Sequence, residues 1–241
     1  MAYASVRTRA DLVDLVLAPE RYDPRRETMG DTRVGVPLAD LVSVSRTIIS
    51  PGAAGCYLVL DTSDVSEGAI ATRKRPIQGA EIGSSKKISA AGCVLISRLR
   101  PYLRQVAYVD QGLTSQIGDA SIAVSTEFFV LQPRDERSIA FLVPFLLSAS
   151  VQRVLSAAQE GGHHPRFNES TLVELRVPIS LLAERERAAR DVQRGIEMFR
   201  EYQQIIERLS ATAEAHVAGT AVAVDGHQGE PRARVASAER A

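Results

Sequence analysis

The sequence predicts an α+β protein: an antiparallel, β-rich domain with short helices, followed by a long C-terminal helix of the coiled-coil type. Three observations predict it. Short apolar runs punctuated by glycine and proline turns fill the first half of the chain. After Pro133 the apolar period changes from two to that of a helix. Residues 183–217 then contain no proline and repeat apolar side chains at alternating spacings of four and three. With 241 residues, 45% of them apolar, the chain can bury a sizeable core.

In order, residues 8–17 (TRADLVDLVL) read as a short amphipathic helix, and the prolines and charges of residues 18–33 as an extended linker. Strands are expected at residues 41–45, 57–60, 87–89, 94–99 and 105–109, separated by the turns SPGAAG, SEG and AAG. In SIAVSTEFFVLQP, Ile122, Val124, Phe128 and Val130 fall on one face and Ser125 and Glu127 on the other, which predicts one half-buried antiparallel strand. Ile139, Leu142, Val143 and Leu146 then recur at helical spacing, with Pro144 expected to kink or break that helix, and SVQRVLSAA continues as a second. The loop EGGHHPRFN leads to a short helix capped by Asn168 or Ser170 and a last strand near residues 175–179. In the long helix, Ala188, Val192, Gly195, Phe199, Tyr202, Ile206, Leu209 and Ala213 form a heptad seam, flanked by Ile196, and a helix with one apolar stripe needs a partner. The tail, residues 218–241, is poor in aromatics and is expected to be disordered.

The chemistry of enzymes is hard to find here. There is no Walker or Rossmann glycine loop, no HExxH, no CxxC pair and no GxSxG. Cys56 and Cys93 sit in strand-like apolar contexts and read as small core residues. His163 and His164 are adjacent, with Glu160 and Glu169 as the nearby carboxylates, a poor metal set. The same loop, with Arg166 and Asn168, can hydrogen-bond a base or a phosphate, or be a solvated loop. No run is long enough for a membrane span and the N-terminus lacks a secretory apolar stretch, so a cytoplasmic location is expected.

Formal net charge is zero, yet the charge is segregated. Residues 73–104 hold Arg73, Lys74, Arg75, Lys86, Lys87, Arg98, Arg100 and Arg104 against Glu81 alone. Arg98 and Arg100, alternating with Leu99 after an apolar run, would project from the same side of a strand, where their planar forks can meet phosphates or the edge of guanine. The other reading is structural: the same guanidiniums pair with carboxylates such as Asp110 or Glu127.

The order of the pieces carries more than any one of them. YLVLDTSDVSEGAI, ISAAGCVLISRLRPYLRQVAYVD, STEFFVLQP and then a helix running through EGGHHPRFNESTLVELRVPISLL into the long helix resemble the target recognition domain of type I restriction-modification DNA specificity subunits. The resemblance covers residues 36–215, and its most specific parts are G-x-V-L-I-S-R-x-R-P, S-T-E-F-F-V-L and R-F-N…L-x-x-L-x-V-P. It implies a non-catalytic subunit without a cofactor, whose domain reads one half of a bipartite site in double-stranded DNA and whose long helix spaces two such domains and docks a DNA methyltransferase.

On this reading residues 1–35 are an N-terminal helix and linker, 36–182 the target recognition domain and 183–217 the spacer or dimerisation helix. The basic residues of the 73–104 window together with His163, His164, Arg166 and Asn168 are the candidate DNA-binding set. Val192, Ile196, Phe199, Tyr202, Ile206 and Leu209 are the candidate partner set on the helix. Relatives of this kind usually carry two such domains and two long helices, so the chain resembles a half-subunit. It also departs in having Ser180 where a second proline is common, Arg185 near a usual glutamine and Cys93 in place of an aspartate. The same fold could instead hold a partner protein as a scaffold subunit of a phage-defence complex.

Overall fold

The computed structural model describes residues 8–11, 34–160 and 164–225, and side chains to residue 217. The expected helix at residues 8–17 is represented by a 3-10 turn at Arg9–Asp11; the rest of it, the linker and residues 226–241 lie outside the described residues, while residues 218–225, expected in the disordered tail, continue the long helix.

The chain resumes with β1 (Val36–Pro37), the one-turn helix α1 (Leu38–Leu41), β2 (Val42–Val44), β3 (Ile48–Ile49) and β4 (Cys56–Leu60). Next come the hairpin β5 (Val65–Ser66) and β6 (Ala69–Ile70), then β7 (Ile77–Gln78), β8 (Lys86–Ser89), β9 (Val94–Ser97) and β10 (Val106–Tyr108). Helix α2 (Gln111–Ile117) precedes β11 (Ser121–Ser125) and β12 (Phe128–Pro133). Helices α3 (Leu142–Leu147), α4 (Ala149–Ala157) and α5 (Glu169–Val173), strand β13 (Arg176–Val177), α6 (Ile179–Ala183) and the long α7 (Arg185–Asp225) complete the order. The chain divides after Glu197 into two units.

Two sheets organise the first unit. One is antiparallel throughout, in the order β10-β9-β12-β2; the other runs β3-β8-β11-β4-β7 and is antiparallel except for the β11–β4 pair. Leu95, Ala107, Phe128 and Val130 of the first sheet meet Leu58, Leu60, Ile122 and Val124 of the second in one core. The alternate residues Val94, Ile96, Val106, Phe129 and Leu131 face the other way, onto Phe141, Leu142 and Leu146 of α3 and its entry, Leu155 of α4, Phe167, and Ala189 and Ile196 of α7. β9 is therefore buried on both faces, which accounts for its unbroken apolar run.

Two expectations are corrected. The stretch SIAVSTEFFVLQP is two strands on different sheets, with Thr126 and Glu127 at the turn between them. The pattern had grouped Ile122, Val124, Phe128 and Val130 correctly, because both sheets turn those residues to the same core. Nor does Pro144 break its helix. It lies in the first turn of α3, where the missing N–H would have had no partner.

The break comes instead at Ser148, extended at φ −60° and ψ 145°, whose hydroxyl accepts the Val151 N–H at 3.3 Å and starts α4. Ser148→Ala is expected to cost about 1 kcal/mol, measured as a lower urea midpoint with an unchanged denaturant slope.

β1 and β13 pair antiparallel, Val36 opposite Val177, and close the unit at its two ends. Gly35 makes this possible: its φ is +144°, and a Cβ there would sit 2.4 Å from the Val177 carbonyl oxygen. Both cysteines are free, with Cys93 buried.

Candidate nucleic-acid interface

The Arg98 strand ends earlier than its sequence suggests. Ser97 closes β9 by bonding its own hydroxyl to the Leu99 backbone, 3.2 Å from the N–H and 3.1 Å from the carbonyl oxygen. Arg98 and Arg100 are thus not strand neighbours on one face. They lie on an irregular segment that pairs with the loop around Arg166: Phe167 N–H donates to Arg98 O, and Arg100 N–H to Pro165 O.

At the centre of this surface is Glu127, on the β11–β12 turn. Its carboxylate accepts Arg166 Nη2 at 2.7 Å and Arg166 Nε at 2.9 Å, and Arg98 Nε at 3.0 Å. These charge-assisted bonds, Arg166's foremost, hold the Glu127 carboxyl below the usual carboxylate range against the opposing effect of burial. Two arginines that belong to the candidate set are thereby aligned side by side on one acid.

Lys87 lies beside them, half-buried on β8. Its ammonium donates to Phe128 O at 2.6 Å and stands 5.4 Å from the centre of the Phe129 ring. Burial, then the charges of Arg98 and Arg46, push its pKa down. Arg46, outside the sequence window, pairs with Glu169 at 2.6 Å.

The rest of the basic window is distributed. Lys74 joins Asp61 at 2.8 Å and Asp64 at 2.6 Å, and Lys86 bonds Ser84 Oγ at 3.0 Å with Asp61 at 3.9 Å. Arg104 Nε donates to Glu67 at 2.9 Å, while Arg100 Nη2 is 3.4 Å from His164 Nδ1. Arg73 and Arg75 are exposed and engage no acid among the described residues. Acids from outside the window thus come to balance much of its charge, a fold-level fact that linear charge counting misses.

Asn168 sits at the N-cap position of α5, but its side chain donates to Glu160 at 3.2 Å. His163 lies outside the described residues. Asp110, one of the two carboxylates proposed for the arginines, instead caps α2 by accepting the Gly112 N–H at 3.0 Å. No group of three or more His, Cys, Asp or Glu among the described residues could hold a metal ion.

On α7 the heptad seam is not uniform. Ala188, Val192 and Ile196 pack against the core of the first unit, whereas Gly195 is exposed. In the second unit Met198, Tyr202, Ile205, Ile206, Leu209 and Val217 are exposed large hydrophobics, with Phe199 half-buried. Such a stripe in water is a cost to the helix as it stands.

Two features were invisible in the sequence. Arg185, noted there only as a departure, is buried and binds Asp135 through both guanidinium ends at 3.0 and 2.8 Å, Ser138 O at 3.0 Å and Arg137 O at 2.9 Å. The turn Pro101–Leu103, between Arg100 and Arg104, leaves Tyr102 and Leu103 exposed. Both flanking arginines are left-handed, at φ 47° and 53°. Each such residue costs roughly 1–2 kcal/mol.

The fold described above is similar to that of a solved structure. A chain described under complex assembly and conformational transition of the type I R-M system matches at TM-score 0.52 and 22% identity, over 81% of this chain and 50% of that one. The chain shares its fold with that type I R-M chain. A second match, an HsdS subunit from Thermoanaerobacter tengcongensis, has a TM-score of 0.46 and 19% identity, over 83% of this chain and 50% of that one. The chain thus spans about half the length of the type I R-M chains it matches. No protein-family model matches the sequence, and no curated protein matches it. Among the described residues, no helix is long and apolar enough to cross a membrane.

Proposed function

We propose that the protein is a sequence-specific DNA-binding specificity subunit of a type I-like restriction-modification system, recognising double-stranded DNA and directing a partner methyltransferase and a restriction subunit. It catalyses no reaction itself. The observation that carries this reading is the type I R-M fold over most of the chain, at half the length of its match, which fits one recognition domain and one spacer helix. Residues 36–182 are the recognition domain and 183–217 the spacer helix, and the protein acts in the cytoplasm.

In this reading Arg73, Arg75, Lys74, Lys86, Lys87, Arg98, Arg100 and Arg104 meet phosphates, and the loop bearing His163, His164, Arg166 and Asn168 meets bases. Two copies associate through the exposed face of Tyr202, Ile206 and Leu209, and a two-fold pair would read an inverted, interrupted site. Duplex affinity measured from about 50 to 300 mM salt tests it: log affinity should fall linearly with log salt, by about 0.9 per phosphate contact. Absence of binding at low salt, with the methyltransferase subunit present, would sink the reading. Sedimentation should show a dimer that Ile206→Glu with Leu209→Glu converts to a monomer.

One observation favours a second reading. The pairing of Lys74, Arg98 and Arg104 with acids of the same chain suits a non-catalytic scaffold subunit of a phage-defence complex that binds protein. Binding to the methyltransferase with no duplex affinity would select it.

A further inference from the structure

We propose that the turn at residues 100–104 is a wedge, with Tyr102 and Leu103 entering a groove of the bound duplex and making apolar contact with the bases. The proposal rests on the DNA-binding reading above and names residues that the charge pattern did not.

Three observations meet at this turn. Pro101 is buried while its neighbours Tyr102 and Leu103 are 59% and 45% exposed, so the turn is anchored at its base and apolar at its tip. An aromatic and an aliphatic side chain side by side in water are a cost to the free protein, and apolar side chains of this kind are what proteins insert between or against base steps.

The backbone holds the tip rigidly. Arg100 and Arg104 both take the left-handed conformation, and a third non-glycine residue, Glu67, does so opposite them at φ 43°. Hydrogen bonds over-determine all three: Arg100 N–H to Pro165 O, Arg104 N–H to Pro101 O and Glu67 N–H to Arg104 O, with the Arg104–Glu67 ion pair across the join. Strain retained in this way suits a surface element whose shape must be set before binding.

Charge selects the occupant. In sequence the tip is flanked by Arg100, whose Nη2 is 3.4 Å from His164 Nδ1, and by Arg104, which is paired with Glu67. An apolar tip beside the Arg100 guanidinium and the His164 ring, in a chain segment with eight basic residues, matches a polyanion with an apolar interior, which is what a duplex groove offers.

The test uses the full chain, alone and with a type I methyltransferase subunit. A duplex pool with a randomised centre yields the preferred duplex, and its affinity is compared for wild type, Tyr102→Phe and the Tyr102→Ala/Leu103→Ala double variant across a salt series. The double variant should bind the selected duplex about tenfold more weakly, with unchanged salt slope and melting temperature, and select a relaxed sequence; Tyr102→Phe should retain binding. Equal affinity and an unchanged selected sequence in the double variant would overturn the wedge while leaving DNA binding intact. Unchanged DNA binding with loss of methyltransferase association would overturn it in favour of a protein contact. If wild type binds no duplex, the DNA-binding reading itself fails, which is a separate result.

Discussion

Arg185→Ala is expected to lose about 2–3 kcal/mol of unfolding free energy at neutral pH. The side chain is 3% exposed, and it is the first residue of α7. Its guanidinium satisfies Asp135 and the carbonyls of Ser138 and Arg137, and lies 5.2 Å from the centre of the Phe141 ring. Truncation strands two carbonyls and uncovers an aromatic face, and it releases the start of the helix from the loop after β12. The loss stays below that of a fully buried pair because Asp135 is 38% exposed and water can replace part of what it loses. Arg185→Lys keeps the charge but not the fork, and should fall between wild type and alanine.

Acid reports on the same pair. Hydrogen bonds from Arg185, then from Arg137, hold the Asp135 carboxyl down to about 2. A folded-state pKa below the unfolded one, about 3.9, means that the contribution is complete above about pH 5 and is lost as pH falls through about 2. The stability gap between wild type and Arg185→Ala should therefore narrow over that interval in urea titrations. A gap independent of pH would assign the loss to packing alone.

Arg185 also shows what a single sequence conceals. Its burial depends on a loop fifty positions away, and no local pattern marks that distance. The strands and helices were more legible, since periodicity is a local record of which faces are buried. Where the reading slipped, at residues 121–133, the apolar pattern was right about the core and silent about the turn, because one core lies between two sheets. The heptad seam slipped similarly: α7 buries Ile196 rather than Gly195 in the first unit, so its inner face follows that core and not a strict heptad. Of the candidate site, the basic residues were visible as types. Their partners Asp61, Asp64, Glu67 and Glu127 were visible only once the fold had brought them in, with Glu127 alone foreseen.

That one acid separates two roles for the arginines. If Arg98 and Arg166 meet DNA, Glu127 stands against every phosphate they approach, so Glu127→Gln should raise duplex affinity by about three- to tenfold at moderate salt. Each guanidinium freed to contact a phosphate should steepen the log–log salt dependence by about 0.9. If the arginines only hold the Arg166 loop to the end of β9, the same substitution loosens that loop, and affinity stays level or falls along with the melting temperature. The carboxylate is ionised well below neutrality because Arg166 and Arg98 depress its pKa. Any contribution it makes to the loop is therefore present above the ordinary glutamate range and lost only as pH falls below it. Affinity measured between pH 8 and pH 6 should show no change from this group in wild type, and the Gln variant should differ by a constant factor. Arg98→Ala with Arg166→Ala completes the comparison: in the DNA-contacting case the double variant binds more weakly with a shallower slope, by about two phosphates' worth. A lowered melting temperature with an unaltered slope would place both arginines in the framework.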